Sequence, residues 1–164
     1  MILRTAADRL SRWSAAVGGV ALAVMIVLIT AQVVSRRFLD TPMVVADELS
    51  GYLLVVTTFS ALGYALQHGD HIQVTLLVDH LSQRARNWLR VFWCLIGIPF
   101  LALLIWRTGI LAHDSYVSGS FSVSATNILL WPIQTFVPAG LAVFLLQMVA
   151  ELASAIETAL GKRA

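Results

Sequence analysis

"SAAVGGVALAVMIVLITAQVV", residues 14–34, runs for twenty-one positions without a charged side chain. At about 1.5 Å per residue, roughly 20 residues of helix cross the ~30 Å hydrocarbon core of a bilayer, so this stretch is long enough to span one. Three more runs of comparable length follow at 49–66, 88–112 and 132–152. Together they predict an all-α membrane protein with four transmembrane helices. Open strands are excluded because unpaired backbone groups are too costly in lipid. A barrel is excluded because the runs lack alternating polarity.

Composition agrees. Of 164 residues, 59% are hydrophobic and 12% are charged, where a soluble domain carries about a quarter charged residues. Mean hydropathy is +0.82. Arg4, Arg9 and Arg12 before the first run resemble the start of a signal peptide. The apolar core is longer than the usual 7 to 15 residues, however, and no small-x-small site closes it, so the segment reads as a retained helix.

Basic residues set the expected orientation. They gather before the first helix, in the second connection (Arg84, Arg86, with Arg90 just inside helix three) and at Lys162 and Arg163. The first connection has Arg36 and Arg37, and the third has no Lys or Arg. Positive-inside bias therefore places both termini and the central connection in the cytoplasm. A pI near 9.1 with a formal charge of +2 fits anionic phospholipid headgroups at helix ends rather than nucleic acid. The single cysteine, Cys94, excludes an internal disulfide and a CxxC redox pair.

Ionisable residues inside a membrane are functional suspects because a centred charge is costly. Here Arg107, in the last turns of helix three, and Glu151, near the end of helix four, are placed to snorkel outward. Gln32, Thr57, Thr58, Ser60, Gln134 and Gln147 lie deeper and read as helix-packing groups. Pro99 and Pro138 are kink positions, and Gly18 with Gly19 allows close approach. No repeat and no matched pair of broken helices marks a transport site of the chain's own.

The densest polar stretch is "HGDHIQVTLLVDHLSQRAR", residues 68–86. Winding residues 74–90 as a helix places Val74, Leu77, Val78, Leu81, Ala85 and Trp88 on one face and Asp79, Gln83, Arg86 and Arg90 on the other, with the interfacial part covering about 74–87. That pattern predicts a cytoplasmic-side amphipathic interfacial helix, with Trp88 at the turn into helix three. His68, Asp70 and His71 precede it around Gly69. A metal site would use His68 and His71 with Asp70, Asp79 or His80, but no HExxH is present and Asp79 falls on the far face. A cap at the end of helix two is the structural role open to His71. In the first connection, Asp47 and Glu48 open helix two after Pro42, where the helix dipole favours carboxylates. Acid–base catalysis would need a partner site, and none is evident.

Taken in order, "SRRFLD", "VADELSGYLLVVTTFSALGYAL", "HGDHIQVTLLVDHL" and "LLWPIQTFVPAG" resemble the small membrane subunit of tripartite ATP-independent periplasmic (TRAP) transporters. The matching positions are Arg37 and Phe38, Asp47 and Glu48, Gly63, then Gly69, His71, Ile72 and Val74, and later Trp131, Pro132, Val137, Pro138 and Gly140. The family's tryptophan before the acidic pair is absent (Val44, Val45 and Ala46 stand there), and Thr75 replaces its aspartate. The resemblance implies a bacterial inner-membrane scaffold subunit, not an enzyme. It also implies an obligate large membrane subunit of elevator type and a periplasmic substrate-binding protein. Import of a small solute, an organic acid in the commonest case, would be driven by sodium held on the large subunit, so the small chain has no cofactor or metal of its own. Arg37, Asp47, Glu48, Gly63, Gly69, His71, Leu77, Leu81 and Trp88 are then candidate structural or partner-interface residues. Two other classes compete. A haem or quinone anchor of an oxidoreductase would need histidines inside the spans, whereas His68, His71, His80 and His113 lie at or beyond helix ends. A self-sufficient small channel would conduct by itself.

Overall fold

The computed structural model describes residues 2–38, 44–68, 83–122 and 127–159. They form four α-helices: α1 (Ile2–Phe38), α2 (Val44–His68), α3 (Gln83–Ser118) and α4 (Trp131–Ala159). Each contains a stretch long and apolar enough to cross a membrane. The four expected spans are all present, and every helix outruns its apolar run. The apolar run sets how much chain crosses lipid, while helix propensity sets where the helix stops. In α1 the leading "ILRTAADRLSRW" is rich in Ala, Leu and Arg, so the helix begins well before the membrane segment.

The same reasoning corrects the expected break before helix three. Residues 83–87, placed at the end of a separate interfacial helix, are the first turns of α3, and Trp88 lies inside a continuous helix. Neither Gly nor Pro occurs between Gln83 and Gly97 to interrupt it. The rest of the amphipathic segment, with Leu77 and Leu81, lies outside the described residues, as do Gly69 and His71.

α1 packs on α2, α2 on α4 and α4 on α3, and α1 also reaches α4. Among the described residues α3 packs chiefly on α4. α2 and α4 run parallel, with Gly140 beside Phe59 and Gly63 beside Val143. The C-terminal ends of α1 and α3 and the N-terminal ends of α2 and α4 share one end of the bundle, here the hairpin end. The helix ends nearest both chain termini share the other, here the terminal end.

Lipid gives apolar helices no hydrophobic reason to associate, so close packing carries the assembly and small residues permit it. α1 buries Ala7, Ser11, Gly18, Ala21 and Ser35, small side chains on one helical face. At Gly140 a Cβ would stand 2.7 Å from the Phe59 carbonyl carbon, so only glycine fits. Leu101, Leu141 and Phe144 form the buried core, joined by Phe59 and Leu62 of α2. Outside, Trp13, Val27 and Phe38 are largely exposed. In water they would form an apolar patch too large for a monomer, whereas in a bilayer they are ordinary surface.

The α3–α4 connection folds back on itself. Ser122 N–H donates to the Ile128 carbonyl (2.8 Å) and Leu130 N–H to the Ser120 carbonyl (3.1 Å), framing a bridge between Phe121 and Leu129. Gly119 ends α3 with φ 59°, the left-handed position glycine adopts freely. At the base of this hairpin, Tyr116 and Trp131 meet edge to face at 5.3 Å.

Candidate functional site

At the hairpin end, the acidic pair in the first turns of α2 divides its work between two junctions. Gln32 of α1 donates its amide to Asp47 across 2.6 Å. The Tyr52 hydroxyl donates to Glu48 across 2.5 Å and also bonds the side chain of Ser122 in the α3–α4 hairpin. Adjacent helical residues diverge by about 100°, so the two carboxylates turn to different neighbours. Both also lie near the positive end of the α2 dipole. Arg37, exposed in the last turn of α1, sits where the dipole favours a cation.

At the terminal end Gly63 marks a three-helix junction: a Cβ there would lie 3.0 Å from both Ser11 Oγ of α1 and Val143 Cγ1 of α4. Ser11, 0% exposed, and Gln147, 4% exposed, bond through Ser11 Oγ and Gln147 Oε1 at 3.3 Å. Gln147 Nε2 then donates to Asp8 at 3.1 Å. This chain satisfies buried polar groups that would otherwise be costly in an apolar setting. Asp8 and Ser11 were missed in the sequence because they precede the obvious apolar run. The available signal was their spacing with Gly18, which puts all three on one helical face.

Between the two ends, Ser14 donates to the Ser60 carbonyl (2.8 Å) and Thr57 to the Gly18 carbonyl (3.3 Å), both across the α1–α2 contact. Thr108 returns its hydroxyl to the Leu104 carbonyl one turn back (2.7 Å). His68 stacks on Tyr64 with centroids 4.1 Å apart, and its Nδ1 lies 3.0 Å from the Tyr64 carbonyl. Trp88 is exposed, a side chain suited to a membrane interface. Of the candidate residues, the structure brings Gly63 into the junction with Ser11 and sets Asp47 and Glu48 together at the opposite end; Arg37 and Trp88 stand apart. Among the described residues no three His, Cys, Asp or Glu side chains group as a metal site.

Fold and polar groups together define a class: a multi-pass membrane helix assembly whose internal hydrogen bonds join helix to helix. Comparison with known families narrows it. Residues 25–158 match the family described as tripartite ATP-independent periplasmic transporters, DctQ component. The chain belongs to this family of small TRAP permease components. It is also similar to the ectoine TRAP transporter small permease protein TeaB of Halomonas elongata, at 26% identity over 139 residues, covering 85% of this chain and 72% of that protein. Family membership places the chain in a transporter complex rather than among enzymes, and nothing in these matches favours a haem or quinone anchor.

Proposed function

We propose that this chain is the fixed scaffold of a sodium-coupled, binding-protein-dependent importer. It braces a large elevator-type membrane subunit and has no transport site of its own. The observation that carries the reading is the use of four polar side chains between the helices. Ser11, Ser14, Thr57 and Gln147 bond neighbouring helices to one another, which suits a rigid support more than an ion pathway. Sodium and substrate then bind the large subunit, and a periplasmic protein delivers the solute. The arginine distribution favours cytoplasmic termini in a bacterial inner membrane, which sets the hairpin end toward the binding protein.

The substrate class we assign is a small organic acid. That assignment follows the commonest case the family resemblance implies; the relative from Halomonas elongata is named for ectoine. Co-expression tests the assignment: solute uptake requires this chain, the large subunit and the binding protein together. Uptake by cells carrying this chain alone overturns it, as does a Soret band from the purified chain, which would mark a haem anchor.

A further inference from the structure

Arg107 is a charge in an unexpected place. Because α3 continues to Ser118, Arg107 stands eleven residues, about 16 Å, short of its end. Along the antiparallel α3–α4 pair, Gly97 abuts Met148 and Tyr116 abuts Trp131. That register sets Arg107 level with residues 138–140 of α4. Gly140 in turn abuts Phe59, near the middle of the apolar run of α2. Arg107 therefore lies deep in the membrane level of the bundle, about 13 Å along α3 from the Tyr116–Trp131 pair.

The side chain also points away from its own bundle. Val91, Cys94, Leu101, Ala112 and Ser115 are the buried positions of α3 and define the face turned to α4. Arg107 is exposed on the other side, in a stripe with Ile96, Phe100, Leu103 and Leu111, which are 48 to 60% exposed. Its guanidinium lies 5.5 Å from the ring of its neighbour Trp106. No carboxylate among the described residues pairs with it. Charged groups within membrane spans almost always face a bundle interior and meet a partner there. Among the described residues no such interior surrounds Arg107.

We infer that the Ile96–Phe100–Leu103–Arg107–Leu111 stripe of α3 is the docking face for the large membrane subunit, with Arg107 meeting an acidic side chain or exposed carbonyls of that subunit inside the bilayer. The inference rests on the assignment of this chain to a two-part membrane permease. Charge complementarity selects the occupant: a lipid tail offers Arg107 nothing, whereas a neighbouring helix supplies acceptors at the same depth. Truncating one member of a buried charge pair mainly speeds dissociation.

The test uses the co-expressed pair, purified through a tag on this chain. Arg107→Leu lowers recovery of the large subunit at least about tenfold, while thermal melting of the lone chain stays unchanged or rises because a charge has left an apolar surface. A photo-crosslinking phenylalanine analogue at position 100 joins this chain to the large subunit. Wild-type recovery of the large subunit with undiminished recovery for Arg107→Leu overturns the docking face alone. A crosslink only to lipid does the same and returns Arg107 to a headgroup phosphate. Loss of melting temperature in the lone variant overturns it in favour of a role within this bundle. If the wild-type chain recovers no large subunit, the assignment itself fails, and the docking face with it.

Discussion

Gly140 of α4 lies directly against the backbone of Phe59 in α2. A Cβ at position 140 would stand 2.8 Å from the Phe59 Cβ and nearer still to its carbonyl. Backbone cannot step aside as a flexible side chain can, so the helices must separate. Gly140→Ala is expected to destabilise the bundle by about 1–3 kcal/mol, the usual cost of overpacking. Gly19→Ala, with nothing within 4 Å of the added carbon, should change stability little. Unfolding titrations of the purified chain in detergent measure both, and equal effects would contradict the close contact.

The Asp8–Gln147–Ser11 chain makes a graded prediction. Gln147→Leu removes both bonds and leaves Ser11 buried without its partner, for an expected loss of about 1–2 kcal/mol. Ser11→Ala alone should cost less, since it removes the hydroxyl together with its need for a partner. The double variant should cost less than the two single losses summed, and simple additivity in a double-mutant cycle would mean that the two side chains do not interact.

Tyr52 ties the start of α2 to the α3–α4 hairpin through Glu48 and Ser122. Tyr52→Phe keeps the ring and deletes both bonds. The expected result is faster amide exchange at Ser122 and Leu130, whose N–H groups close the hairpin, with α3 and α4 unchanged. Unchanged exchange at both amides would show that the hairpin holds without the tyrosine.

The amphipathic segment 74–87 is tested through its apolar face. Leu77→Asp with Leu81→Asp places two charges where the pattern presents leucines to the membrane surface, so recovery of the chain in the membrane fraction should fall severalfold. His68→Ala, which removes one ring stacked on Tyr64, should leave recovery near wild type. If His68→Ala proves the more damaging and zinc restores the chain, a metal role for the His68–His71 stretch replaces the membrane-surface role expected from the pattern.

The four spans were legible because an uncharged run such as 14–34 has few alternatives in any solvent. Helix ends were not: nothing in hydropathy says that α3 continues past Ala112 or that residues 83–87 join it, since a helix leaving the bilayer loses its apolar signal and keeps its propensity. The separate duties of Asp47 and Glu48 follow in outline from helical geometry, but their partners Gln32, Tyr52 and Ser122 are set by tertiary packing. Arg107 shows the limit best. Near the end of an apolar run it reads as a snorkelling residue, and only the register against Met148 and Trp131 reveals its depth.

Proteoliposome uptake separates a scaffold from a transporter. Vesicles containing this chain alone, given a sodium gradient and solute-loaded binding protein, should accumulate nothing above empty vesicles. Vesicles that also contain the large subunit should accumulate solute until the gradient is dissipated. Sodium-dependent accumulation by this chain alone would contradict the account, as would full activity of the large subunit without it.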